Sequence, residues 1–367
     1  MPPAHLPHWL IQALKYGAGL GVTALLAWLF VRDIDLREVW RTMRGANLLL
    51  LAPVAAAFLL SYWLQAWRWH HLVRHLRDVS TGAAFPRVLL AHSAGMLLPF
   101  QLGQVLMVQI SAEKFELDRS RLAGAEFVSR LMDGLVFALF LVVGLALLPI
   151  GSAFVGLTIF MLVGTLTGLA LAFWASHEHP HVLERNKDLP FHSVIVTVHE
   201  QVLHRFLRGV SSVRNLGQTR DVFLLSVAIW AIEAVFYWLT GLMLHLHARP
   251  AVYIFLVAAA NIGGGIPFAQ SGAGFVYVSR QAFVAVGQRP AVAAAYALTL
   301  QALLIAPIVV IAPYAIIRMH LGWDDLVPWL KRVEPAQEDE ATPRCSPPPE
   351  RRSAPQTGPG RPTRPRT

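Results

Sequence analysis

The chain has 367 residues, 55% hydrophobic and 14% charged, with a mean hydropathy of +0.49, a balance that excludes an ordinary soluble globule and describes a multi-pass membrane protein. The formal net charge of +9 is then not a nucleic-acid signal; its excess sits in loops and in the C-terminal tail, where it fits topology control and contact with anionic lipid.

Lys15 is followed by the uncharged run Tyr16 to Val31, with Arg32-Asp33 directly after it and no small-x-small cleavage site, so it reads as an uncleaved first span. Asp35 and Glu38 have capping-box spacing. Leu36, Val39, Trp40 and Met43 recur at i, i+3, i+4, i+7 against Arg37, Arg41 and Arg44, which predicts a short amphipathic helix in the membrane interface. Leu48 to Trp67 is uncharged and long enough to cross about 30 Å of hydrocarbon. Arg68, Arg74 and Arg77 close it on a basic side, and Trp63, Trp67 and Trp69 read as an interfacial belt.

The next stretch, Ala91 to Asp133, is apolar but broken by Pro99 and Gly103. Its end overlaps a helix predicted from about Arg121 to Leu148 that carries Glu126, Arg130 and Asp133. Leu148-Pro149-Ile150-Gly151 turns the chain, and Ser152 to Trp174 crosses back. Residues 176–220 form a polar, basic loop with helical character around Val194 to Val213. Val222 to His245 is the next span, interrupted only by Glu233. A second broken stretch leads to a final span, Pro290 to Ile317, kinked at Pro307 and Pro313. The domain division is therefore a transmembrane region, 1–322, and a tail, 323–367, rich in Pro, Arg, Glu and Ser. That tail has no apolar face with which to build a core, which predicts disorder. Cys345, the single cysteine, lies in it, so there is neither a disulfide framework nor a Cys-x-x-Cys pair.

The two broken stretches repeat each other. Offset by 168 positions, Ala259 to Ala293 repeats the landmarks of the first stretch without a gap, including Pro99/Pro267, Phe100/Phe268 and Arg121/Arg289. Repeated Gly/Pro-interrupted segments in both halves are the sequence mark of a transporter's binding site, with repeat cores here at about 84–149 and 252–317. If loop 176–220 and the tail are both cytoplasmic, the spans between them are even in number and each broken stretch dips in and returns. The expected fold class is all-α: about six full spans and two re-entrant helical hairpins in inverted repeats, with both termini cytoplasmic. Hairpin tips around Pro99 to Gln104, with Gln101 and Gly103, and Pro267 to Gly274, with Gln270 and Gly272, leave backbone groups for protein or a wet cavity to satisfy. They also offer helix N-termini to a phosphate.

Over roughly residues 10 to 320 the sequence resembles the membrane region of the lysylphosphatidylglycerol synthases, a flippase-like family with stand-alone members. The family pattern Pro-x-x-x-Gly-Glu-x-x-Arg stands here as Pro99, Gly103, Gln104 and Met107; Glu-Arg-x-x-Asp stands as Ser129, Arg130 and Asp133. The third motif stands as Pro267, Ser271, Gly272 and Gly274, with Tyr277 where the family carries Glu. The resemblance implies lipid translocation. The tail is too short to fold the lysyl-transferring domain, so the expectation is a stand-alone member without it.

Ionisable residues in a span cost several kcal/mol unless paired or wet, which singles out a few side chains. Glu126, Arg130 and Asp133 share one helix face and read either as a structural ion network or as a headgroup or coupling-ion contact. Glu233 has no charged neighbour within a turn and either titrates, meets Arg130 or Arg280 across the bundle, or is held protonated. Arg121 and Arg289 read as snorkelling or as substrate contacts. The expected substrate-binding set is Arg130, Asp133, Glu126, Gln101, Gln104, Glu233, Gln270 and Arg280. His70, His71 and His75, and the His177, His179, His181 cluster, read as solvated before they read as metal ligands, and no cofactor is implied.

The leading expectation is a translocator moving a polar-headed lipid, with an anionic phospholipid as partner, in a bacterial inner membrane; a homo-oligomer is compatible with it. An intramembrane lipid-modifying transferase is the alternative, and a non-catalytic partner of a lipid-linked glycan or hopanoid pathway a further one. The balance favours a transporter over an enzyme.

Overall fold

A computed structural model of the chain describes residues 21–74, 76–97, 102–177, 216–264 and 272–319. No strand occurs among them, and the expected all-α membrane bundle is what they form. The hairpin residues Pro99, Gln101, Pro267 and Gln270, most of loop 176–220, and the tail 323–367 lie outside the described residues.

Helix α1 (Gly21–Val31) leads into α2 (Leu36–Arg44), and a 3-10 turn at Leu48–Leu50 opens α3 (Leu51–Val73). There follow α4 (Thr81–Leu97), α5 (Leu102–Lys114), α6 (Arg119–Leu147) and α7 (Ser152–His177). The second half holds α8 (Leu216–Met243), α9 (Pro250–Gly264), α10 (Ala273–Ala285) and α11 (Pro290–Arg318). Among the described residues, five stretches are long and apolar enough to cross a membrane: Leu48–Val73, Arg119–Leu147, Phe154–Leu171, Gly217–Met243 and Pro290–Arg318. The expected sixth, Tyr16 to Val31, is described only from residue 21.

Helix ends follow local chemistry. The Asp118 carboxylate caps α6 by accepting the Arg121 backbone N–H at 2.9 Å, and Pro149 follows the last residues of that helix. Pro290 opens α11, where its missing N–H costs nothing. Asp35 caps α2 by accepting the Arg37 N–H at 2.9 Å, but Glu38 pairs instead with Arg289 at 2.7 Å, so the expected capping box is only half made. Val39 is buried in a cluster with Phe30, Ala291, Ala294, Ala295 and Ala297, and Met43 packs against the same cluster. Helix α2 is thereby docked on α11, which leaves only the exposed Leu36 and Trp40 of its apolar set for the interface.

The core of the bundle is α3 against α8 and α6 against α7, α8 and α9. Each broken stretch folds as two packed helices, α4 with α5 and α9 with α10. Backbones approach closely in the second pair: a Cβ on Gly263 of α9 would lie 2.5 Å from Val278 Cβ and 2.8 Å from the Gly274 carbonyl oxygen of α10. Gly272, at φ 77°, holds the left-handed turn before α10, where a side chain would be strained. The element lengths recur: α5 and α10 start at 102 and 273 and end at 114 and 285, and α6 and α11 run 119–147 and 290–318, a constant offset of 171. Arg121 therefore sits in the first turn of α6 while Arg289 is the N-cap of α11, so this pair from the 168-residue alignment is not equivalent in the fold.

Candidate functional site

A cavity of about 180 Å³ opens inside the bundle where α3, α4, α6, α8 and α9 meet. Its lining follows helical periodicity: Tyr62, Gln65, Arg68, Trp69 and Leu72 form one face of α3, and Glu126, Ser129, Arg130 and Asp133 one face of α6. Helix α4 contributes Arg87 and His92, α8 contributes Trp230 and Glu233, and α9 contributes Asn261. Six ionisable carboxylates and guanidiniums thus converge in a bundle whose outer surface is apolar.

Two of the carboxylates are neutralised by arginines from other helices. Arg68 directs both terminal nitrogens at Asp133, Nη2 reaching Oδ2 at 3.3 Å and Nη1 making a shorter contact with Oδ1. The same Nη1 donates to Ser226 Oγ at 2.8 Å, and Trp230 Nε1–H donates to Asp133 Oδ1 at 2.8 Å. Such a forked, multiply bonded pair is what makes burial of two charges tolerable. Arg87 Nη2 donates to Glu126 Oε1 at 2.8 Å, its Nε bonds Ser111, and its guanidinium carbon stands 3.9 Å from the Trp69 ring centroid. That guanidinium is engaged by an anion, a hydroxyl and an aromatic face.

Arg130 is different. Its nearest carboxylate oxygen is Asp133 Oδ2 at 3.9 Å, an oxygen already bonded by Arg68, and its side chain is 55% exposed. It is the loosely held cation of the cavity. Glu233 lies on the opposite helix, beside Ser61, Tyr62 and Tyr237, and among the described residues it forms no ion pair. Two buried polar atoms of the cavity lining, Trp69 Nε1 and His92 Nε2, also lack partners among the described residues.

Of the expected substrate-binding residues, the cavity brings together Arg130, Asp133, Glu126 and Glu233. Arg280 does not line it; this buried arginine donates to the Leu29 carbonyl at 3.2 Å and lies 5.7 Å from the Phe30 ring centroid, tying α10 to α1. Gly103 and Gln104 lie in the first turn of α5, and Gly272 and Gly274 lie at the start of α10. Arg289 is exposed and paired with Glu38. Trp69, expected in an interfacial belt with Trp63 and Trp67, is instead only 4% exposed and stacked on Arg87, whereas the other two remain at the surface. His70 Nδ1 is engaged by the Val79 carbonyl at 2.7 Å.

Sequence reasoning missed Arg68 as a site residue, and Arg87, His92 and Asn261 altogether. An arginine inside the apolar run from Phe85 to Leu90 was the available signal for Arg87, because such a charge requires a partner.

The fold and this cavity define a polytopic helical membrane protein with a charged chamber between α3, α4, α6, α8 and α9. The family model for the lysylphosphatidylglycerol synthase TM region matches residues 17–312, and the chain belongs to that family. No curated protein and no solved structure matches the chain.

Proposed function

We propose that the chain is a lipid translocase, moving a polar-headed phospholipid between the leaflets of a bacterial inner membrane. In this reading both termini are cytoplasmic, and the two broken stretches form inverted re-entrant hairpins around the cavity. The observation that carries it is Arg130, a half-exposed guanidinium on the wall of a polar chamber within an apolar bundle, whose closest carboxylate among the described residues is 3.9 Å away and already held by Arg68.

The physical problem of translocation is the loss of headgroup hydration, which costs several kcal/mol for each charged or polar group left unpaired. Arg130 supplies charge-assisted donors to phosphate oxygens in place of that water. Arg68 and Arg87 neutralise Asp133 and Glu126, so that the Arg130 guanidinium keeps net affinity for an anion. Translocation is favoured over group transfer because four of the chamber's six charged groups, Arg68 with Asp133 and Arg87 with Glu126, are committed to one another in ion pairs.

The test is movement of a fluorescent phospholipid in vesicles reconstituted with the full chain, followed by quenching from outside. Protein-containing vesicles are expected to lose the protected half of the signal far faster than protein-free ones. Equal rates in both would overturn the proposal.

A further inference from the structure

Once the two internal ion pairs are made, one cation and one anion of the cavity are left over. Arg130, on α6, is the cation, and Glu233, on α8, is the anion. From this pairing, and resting on the translocase reading, we infer that the chamber is built for a net-neutral, zwitterionic headgroup: one phosphate at Arg130 and one ammonium at Glu233.

The anionic end has more than a single guanidinium. His92 Nε2 and Trp69 Nε1, both on the cavity and both lacking a partner among the described residues, stand with Arg130 as groups able to face phosphate oxygens. A buried indole N–H without an acceptor costs about 1–3 kcal/mol, so a phosphate oxygen placed there removes a penalty as well as forming a bond. His92 serves as a donor in the tautomer that carries its proton on Nε2.

The cationic end is set by what surrounds Glu233. Its neighbours are the neutral hydroxyls of Ser61, Tyr62 and Tyr237, with Asn261 next to Tyr237 at 3.5 Å. A half-buried carboxylate in such company lacks a counter-ion. A primary ammonium supplies one, together with three donors.

The same accounting excludes other headgroups. A headgroup with a phosphate and no ammonium leaves Glu233 uncompensated beside it. A headgroup with a phosphate and two ammoniums finds no second carboxylate, because Glu126 is held by Arg87 at 2.8 Å and Asp133 by Arg68 and Trp230.

The experiment is lipid binding to the purified full chain, read by native mass spectrometry with four competing probes. These are phosphatidylethanolamine, its N-acetylated form without the ammonium, phosphatidylglycerol, and lysylphosphatidylglycerol with its second ammonium. Phosphatidylethanolamine is expected to be retained about tenfold over each of the others, the size of one lost charge-assisted contact. Glu233→Gln is expected to abolish that preference, Glu233→Asp to keep most of it, and Arg130→Gln to weaken retention of all four. Equal retention of phosphatidylethanolamine and its N-acetylated form, or stronger retention of either of the other two lipids, overturns the inference. So does a preference that survives in Glu233→Gln. The comparison of the first two probes on the unaltered chain decides the matter even if the Glu233 variants do not fold. Headgroup-selective binding without movement in vesicles defeats the translocase reading alone; movement without headgroup preference defeats this inference alone.

Discussion

Arg68 on α3 grips both carboxylate oxygens of Asp133 on α6, across 65 residues of chain, and Trp230 of α8 donates to the same carboxylate at 2.8 Å. One acidic side chain thereby ties three helices together at the wall of the chamber, all three long and apolar enough to cross a membrane.

Removing one partner of this pair strands the other charge in the bundle. Asp133→Asn and Arg68→Met are each expected to lower stability by about 3–5 kcal/mol, and the double variant Arg68→Met with Asp133→Leu by much less than the sum. Thermal unfolding of the purified protein in detergent measures this. Additive losses would show that the two side chains do not form a unit.

The contact between Arg87 and Trp69 makes a smaller claim. Trp69→Leu removes the aromatic face 3.9 Å from the guanidinium, whereas Trp69→Phe keeps one. The difference between the two variants is expected to be about 0.5–2 kcal/mol in denaturant unfolding, with phenylalanine the more stable.

Helix–helix approach in the second hairpin is limited by Gly263. Gly263→Ala places a methyl against the Gly274 carbonyl and Val278, neither of which is the free end of a flexible side chain, and is expected to cost about 1–3 kcal/mol. Gly82→Ala in α4, where nothing lies within 4 Å, is the matched control and is expected to be neutral or stabilising by up to about 1 kcal/mol. Equal melting shifts for the two would contradict this packing.

Much of this was legible in the sequence because spans are read from length and hydropathy, and those depend on local composition. The helix expected from Arg121 to Leu148 runs Arg119–Leu147, and the one expected from Ser152 to Trp174 runs Ser152–His177. Half of the chamber was legible for the same reason: Glu126, Arg130 and Asp133 are spaced to share one helix face. Their partners were not. Asp133 and Arg130 look like a pair at i, i+3, yet they stand 3.9 Å apart while Asp133 is bonded to Arg68 from another helix. Arg68 read as the basic end of a span, because sequence spacing carries no information about which helices become neighbours. Trp69 was misread likewise, since its place in an aromatic run suggested the surface and only the position of Arg87 turns it inward.

The proposed inverted arrangement of the hairpins makes a topological prediction. Single cysteines at positions 100 and 270, in a chain lacking Cys345, are expected to react with membrane-impermeant reagents from opposite faces: the first from the cytoplasm, the second from outside. Labelling of both from one face would remove the inverted repeat.

The most direct measurement is phospholipid movement in vesicles containing Arg130→Lys. Lysine keeps the charge but loses the planar fork that binds phosphate bidentately, and the loosely held Arg130 contributes little to folding. The expected result is an unfolding midpoint close to that of the unaltered chain, together with a loss of about tenfold in translocation rate, the loss of one strong charge-assisted contact. Unchanged translocation in Arg130→Lys, together with destabilisation by Arg130→Ala that is relieved by also removing Asp133, would contradict the account and leave Arg130 as part of the scaffold.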